Sequence, residues 1–446
     1  MEPSEEKRYS AKDILKLQVA PALGCTEPVA IALGAAAAVS LLPSRELDSI
    51  ELWVDPNIYK NGLAVCIPGT DGLWGIDLAS ALGALGGDPG LKLEVLEPID
   101  EAVVAKARAM VREGKVKVNL FSETGLRIKT VIRSGSDTAE SEVTGMHDNI
   151  SSLSFNNEPI EKNSLLSAHG ENGRDERTRL EQWLENQSLE HFLRLIDDLD
   201  QDDFDFLEQS VVLNMRLAEY GLKHGPGLGV GKTMDSLVRK RLLKKDMILE
   251  ARMLTSAAAD TRMAGIKLPA MSSAGSGNHG LTAVLPIWAM KDYLECDHQD
   301  ILRAIGLSHI ITAFVKTHTG RLSAVCGCSV AAGAGAACGV AYLLGGGAHH
   351  MEGAIKNLIT DLAGVVCDGA KLGCAMKLAT AAGSAVQAAL FALHGVNVQS
   401  SDGIIDVTME QTAQNLGTLS TVGMIEADRT ILQILLNKVN ASTADR

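Results

Sequence analysis

Five of the eight cysteines in this 446-residue chain fall within one stretch, from Cys326 to Cys374. Cys326, Cys367 and Cys374 stand where glycine or polar residues interrupt runs of small apolar ones, in Val325-Cys326-Gly327-Cys328, Cys367-Asp368-Gly369 and Gly373-Cys374. Thiolates are the ligands that iron–sulfur clusters and zinc prefer, and a break in a helix lets a ligand face a cavity. Three cysteines with no fourth nearby would leave one metal position open, as catalysis requires. The competing reading is that all five, Cys328 and Cys338 included, are small core residues, because free cysteine is among the most buried residue types. Cys338, inside a smooth Ala/Gly run, reads that way. No Cys-x-x-Cys pair occurs, so neither a zinc ribbon nor a thioredoxin-type site is indicated.

A further cysteine stands near the other end, in Pro21-Ala22-Leu23-Gly24-Cys25-Thr26-Glu27-Pro28. Thr26 can cap the helix that follows, and Pro28 suits its first turn. A thiol at a helix start meets unpaired N–H groups and the positive dipole end, which lower its pKa. Cys25 is therefore a candidate reactive thiol, with a buried core residue as the alternative.

Two glycine-rich runs imitate nucleotide motifs. Gly225-Pro226-Gly227-Leu228-Gly229-Val230-Gly231-Lys232-Thr233 ends like a P-loop, but Pro226 occupies the place of the first glycine and a helix precedes it where the motif needs a strand. Gly275-Ser276-Gly277-Asn278-His279-Gly280 fits G-x-G-x-x-G but lacks a clean preceding strand and a ribose-binding acid. It reads either as a tight turn between helices or as a turn whose N–H groups, with Ser276 and Asn278, hold a small carboxylate.

The elements that must position these residues follow from periodicity. Helices are expected at Ala11 to Val19 and Val29 to Leu42, the second apolar on all sides and hence buried. Residues 48–150 alternate like strands at Ser49 to Val54, Lys92 to Leu96, Lys115 to Leu120 and Gly125 to Ile132, with helices at Asp77 to Leu85 and Glu101 to Arg112 between them. Ser134 to Glu142 reads as a turn or loop, and one helix is expected from Arg177 to Asp197. The acidic run from Glu190 to Glu208 reads as a solvated face, since the ligand spacing of an EF-hand is missing. From Val211 onward the chain reads as helices joined by glycine turns. The expected class is α+β: N-terminal helices over 1–44, an α/β domain over 45–150, a charged connection over 151–210 and a helical catalytic domain over 211–446.

Apolar residues make up 46% of the chain and charged residues 22%, the balance of a soluble protein. A net charge of −14 argues against a nucleic-acid partner, which needs a basic face. The charged start Met1 to Arg8 carries no apolar signal core, and a cytoplasmic location is expected. Leu322 to Ala348 is uncharged and long enough to span a bilayer, but Ala, Gly, Cys and Ser drive insertion weakly, so it reads as a buried core segment and no membrane partner is expected.

Several segments together resemble the L-cysteine desulfidase family, which is related to the α chain of bacterial iron–sulfur L-serine dehydratases. They are Pro21 to Pro28, Lys60-Asn61-Gly62 with Pro68-Gly69-Thr70, Ala81 to Gly87, Arg262-Met263, Leu268 to Met271, Gly275 to Gly280, Arg321 to Cys326 and Cys367 to Lys377. The resemblance implies an oxygen-sensitive [4Fe–4S] lyase that converts L-cysteine to pyruvate, ammonia and hydrogen sulfide. It maps the cluster ligands onto Cys326, Cys367 and Cys374, favouring Cys326 over its neighbour Cys328, and matches Cys25 to a catalytic base, with the fourth iron position at rest as its other role. Arg262, Ser276 and Asn278 are the expected carboxylate contacts of a small amino-acid substrate, and a homodimer is compatible with the assembly. The alternatives are an L-serine/L-threonine dehydratase using the same cluster, a non-catalytic iron–sulfur redox sensor, and a cluster-free structural protein.

Overall fold

The computed structural model describes residues 8–123, 125–166, 172–320 and 323–444. The first residues of the charged N-terminus, part of the 151–210 connection, and Arg321 and Leu322 of the Arg321 to Cys326 motif lie outside that description. The chain is α+β with a large helical portion, as its periodicity predicts.

In chain order the first elements are α1 (Ala11–Gln18), β1 (Pro21–Leu23), α2 (Thr26–Val39), β2 (Ser49–Val54), α3 (Pro56–Gly62), α4 (Ile76–Gly86) and α5 (Glu101–Arg112). Strands β3 (Val116–Leu120), β4 (Arg127–Ser134), β5 (Asp137–Thr144), β6 (Ile150–Phe155) and β7 (Glu158–Pro159) follow. The helical portion comprises α6 (Asn172–Leu184), α7 (Leu189–Asp197), α8 (Gln201–His224), α9 (Val230–Arg239) and α10 (Met247–Met263), then β8 (Pro269–Met271) and α11 (Gly277–Trp288). It ends with α12 (His298–Thr319), α13 (Gly333–Leu343), α14 (Ala348–Leu362), α15 (Cys374–Leu393), α16 (Met409–Thr418) and α17 (Ile425–Ala444).

One sheet, ordered β3-β2-β4-β5-β6-β7, carries a parallel β2–β3 pair and is otherwise antiparallel. Helix α2 is buried on every side, against this sheet and α4. Its small residues let backbones approach closely: a Cβ on Gly83 of α4 would lie 2.1 Å from the Ala32 carbonyl. The second core joins α1, α7, α8 and α10 through α16. Among the described residues one helix, α15, is long and apolar enough to cross a membrane, and 61% of its apolar window is buried inside the fold. Within the uncharged Leu322 to Ala348 stretch, α13 is almost wholly buried in the core.

Three local expectations need correction. Lys92 to Leu96 is no strand: Asp88 caps a 3-10 turn over Pro89–Glu94, accepting from the Gly90 N–H at 2.9 Å, and Lys92 takes a positive φ. Ser134 to Glu142 is no loop but the turn and most of strand β5, paired with β4 from Arg127↔Thr144 to Ser134↔Asp137. Within that range its inward residues Ala139 and Ser141 are too small or polar to show a strand's alternation, and Ser141 donates to the Gly34 carbonyl at 2.6 Å. The single helix expected from Arg177 to Asp197 is two, α6 and α7, because Ser188 caps a new start with its hydroxyl toward the His191 N–H.

Candidate metal centre and substrate pocket

Two short segments bring the cysteine loops together. Val325 and Val366 form an antiparallel bridge, flanked by hydrogen bonds from Cys326 N to Val365 O at 2.8 Å and from Cys367 N to Ala324 O at 2.7 Å. Side chains alternate along extended backbone, so Cys326 and Cys367 fall on the same face of the bridge. The chain then turns through Gly369, whose φ of +94° suits glycine and where a Cβ would lie 2.3 Å from the Lys60 carbonyl. It re-enters helix at Cys374, the first residue of α15.

The thiols feel one another. Hydrogen bonds from Cys328 and, against burial, from Ser329 hold Cys326 down at about 5. Cys328 as donor is pushed well above the ordinary thiol range, first by that bond and then by burial. Burial followed by the Cys326 charge raises Cys367 and takes Cys374 to about 11. Of the pair Cys326 and Cys328, Cys326 is thus the readier thiolate. Cations surround the set. Asp368 is held at about 2 in spite of burial by hydrogen bonds from Lys371 and Lys377, and Lys377 also donates to the Val366 carbonyl at 2.7 Å. Lys60, its side chain buried against Asp428 at 2.5 Å, eases the charge on Cys367. All three lysines lie within segments that carry the resemblance, Lys60 in Lys60-Asn61-Gly62 and Lys371 and Lys377 in Cys367 to Lys377, but their residue type alone does not point to this role.

Among the described residues no three Cys, His, Asp or Glu side chains lie at the spacing of ligands to one metal ion. A cluster distributes its cysteine thiolates over several irons, so its ligand set is wider than that of one ion. Several neighbouring thiols with lysines beside them are a donor set suited to it. By donor type four thiolates would also suit zinc at a closed site, and it is their spacing that does not match a single ion.

Cys25 reaches the same place from the N-terminus. Strand β1 pairs with β8, Pro21 opposite Met271 and Leu23 opposite Pro269, and this delivers Cys25 beside Val65, Met263, Leu372 and Cys374. Cys25, not Thr26, is the N-cap of α2, and it makes no side-chain capping bond. Its thiol instead donates to Glu27 Oε2 at 3.1 Å. The expected acidification is reversed: burial first and the Glu27 carboxylate second push Cys25 well up, against Arg262, which lowers it. Burial and a neighbouring anion outweigh the helix end.

Arg262 and Asn278 do meet. Arg262 is 1% exposed, donating to Asn278 Oδ1 at 3.0 Å and to the Gly24 carbonyl at 2.5 Å, while its Nε has no partner. Gly277 makes room for it, since a Cβ there would lie 2.3 Å from that Nε. No carboxylate among the described residues pairs with this buried cation, so an anion from outside the chain would be bound strongly. Ser276 is the N-cap of α11 without a side-chain capping bond, half-buried, and no bond joins it to Arg262.

In the other glycine run the place a P-loop would give to a phosphate is taken by the chain itself. Gly225, Gly227 and Gly229 all take left-handed φ, and the start of α9 that follows them is filled by the chain's own Asp260, Oδ2 of which accepts from Gly231 N at 3.1 Å. Burial raises Asp260 to about 6 against the N–H groups of Gly231, Val230, Gly229 and Leu228 that favour the charge. A folded pKa above the ordinary 3.8 means that this contribution to stability is complete below about pH 4 and is lost as pH rises through about 6. In urea titrations wild type should therefore gain on Asp260→Asn as pH falls from 6 to 4. A gap that does not change with pH would contradict this.

The family model described as serine dehydratase alpha chain matches residues 93–433, a range that includes Arg262, Asn278 and the three breakpoint cysteines but not Cys25. A UPF0597 protein of Desulfatibacillum aliphaticivorans is 61% identical, covering 96% of this chain and 98% of its own. UPF0597 proteins of Clostridioides difficile and Geobacter sulfurreducens are 40% and 38% identical, each over 96% of this chain and over 100% and 98% of their own.

Proposed function

The chain belongs to the serine dehydratase alpha-chain family, and from that premise we propose that it is an iron–sulfur lyase that β-eliminates L-cysteine to pyruvate, ammonia and hydrogen sulfide. The observation that carries the reading is the meeting of neighbouring thiols with a buried arginine that no carboxylate among the described residues pairs. Cys326, Cys367 and Cys374 would hold a [4Fe–4S] cluster. Bound there by three thiolates, the cluster supplies an open iron, a Lewis acid toward the substrate's leaving group or carboxylate.

The chain's own residues supply the rest. Arg262 binds the α-carboxylate, and Asn278 fixes the guanidinium that does so. Cys25 Sγ accepts the α-proton once its own proton has passed to Glu27 Oε2, its hydrogen-bond partner. As the Cα–H bond breaks, the Cβ–S bond breaks with it; the sulfur leaves as HS⁻, which takes back a proton and departs as hydrogen sulfide, and the enamine left behind takes up water to give pyruvate and ammonia. Burial of Cys25, Asn278 and Arg262 excludes water from this transfer.

A second reading, L-serine dehydration at the same site, is favoured by the description of the family model. Anaerobically reconstituted protein should form pyruvate from L-cysteine with a kcat/KM above that for L-serine. Pyruvate from L-serine alone would select the second reading, and none from either would reject both.

A further inference from the structure

His279 lies in the first turn of α11 and is 5% exposed. Its Nδ1 faces the Ser273 carbonyl at 3.2 Å. A carbonyl only accepts, so Nδ1 carries the proton and Nε2 presents a lone pair. Ser273 is itself fixed, through its hydroxyl to His309 Nδ1 at 2.9 Å and through a backbone pair with Ser276. No protein group among the described residues bonds to Nε2. Over it lie Gly327, the residue between Cys326 and Cys328, and the Lys316 ammonium: a Cβ on Gly327 would lie 2.5 Å from Nε2 and 3.2 Å from Lys316 Nζ. Glycine is therefore the residue that lets the imidazole reach the thiol loop. Burial first, then Lys316, pushes the imidazole down to about 3, so the ring stays neutral.

A buried neutral imidazole with one nitrogen on a backbone carbonyl and the other bare is the arrangement of a metal-bound histidine. A substrate ammonium is a poorer partner for Nε2, since the charges of Lys316 and Arg262 act on this ring. We propose that His279 Nε2 is a nitrogen donor to the cofactor, occupying the iron that three cysteines leave open until substrate displaces it. The inference rests on the iron–sulfur reading of the site given above.

The test is pulsed electron paramagnetic resonance on protein grown with 15N-histidine, reconstituted anaerobically and reduced with dithionite. A strong nitrogen coupling that changes with the isotope is expected. It should be lost in His279→Ala and in Gly327→Ala, whose methyl displaces the ring, and on saturation with L-cysteine or L-serine. Iron and sulfide content should stay at wild-type level in Gly327→Ala. A fully loaded cluster without histidine coupling, or coupling that survives His279→Ala, overturns the proposal and leaves the lyase reading intact. A wild-type protein that takes up no iron overturns both. If His279→Ala cannot hold a cluster, the labelled wild type and Gly327→Ala still decide.

Discussion

Cys367→Ser, prepared and reconstituted without oxygen, is expected to lose most of its iron and sulfide and more than about 100-fold of its lyase activity. Changes behind a metal ligand commonly cost 10–100-fold, and a ligand itself should cost more. Serine keeps the shape but replaces a soft thiolate by a hard, weakly acidic hydroxyl. Folding should survive, because Cys367 is half-buried at a bridge held by backbone bonds that serine retains. The same outcome is expected for Cys374→Ser and Cys326→Ser, and a much weaker one for Cys328→Ser, whose thiol donates to Cys326. Cluster loss in Cys328→Ser with retention in Cys326→Ser would exchange their roles. Far-ultraviolet circular dichroism, iron analysis and turnover on each variant separate these cases.

Arg262→Met should lower kcat/KM by about 100- to 1,000-fold, in line with the 2–5 kcal/mol commonly lost when one partner of a buried charge pair is removed. The loss should fall mainly on KM, because the carboxylate is bound alike in ground and transition states. Stability should move far less. The substitution strands the Gly24 carbonyl and Asn278 Oδ1, but it also removes a buried cation that has no anion partner, and the two effects oppose each other. A substrate without the carboxylate, such as L-cysteine methyl ester, should be turned over equally by both proteins. Equal KM for L-cysteine in wild type and variant would remove Arg262 from the substrate site.

How much of this could be read from the chain depends on the range of the interactions. Helix α5 begins and ends where periodicity puts it, and α1 and α2 differ from expectation only at their ends. The breaks at Cys326, Cys367 and Cys374 are visible as punctuation in small-residue runs. Their meeting is not, because it depends on the bridge from Val325 to Val366 and on β1 pairing with β8 across the whole sheet portion and the helices α6 to α10. The Cys25 thiol runs opposite to its helix position for a related reason. Helix position is local and legible, whereas the burial that overrides it comes from Val65, Met263 and Leu372, far away in sequence. Asp260 shows the same limit: nothing in the glycine run signals that a carboxylate from the next helix will fill it. His279 lies in the G-x-G-x-x-G run, but its contact with Gly327 is long-range and leaves no trace in that run.

Purified under strict anaerobiosis, the wild-type protein should contain iron and acid-labile sulfide in equal amounts, about four of each per chain for a cubane cluster. It should also show a broad thiolate-to-iron absorption that bleaches on reduction or on exposure to air. Protein that remains colourless and iron-free after reconstitution with iron, sulfide and thiol would contradict the claim that Cys326, Cys367 and Cys374 hold a cluster.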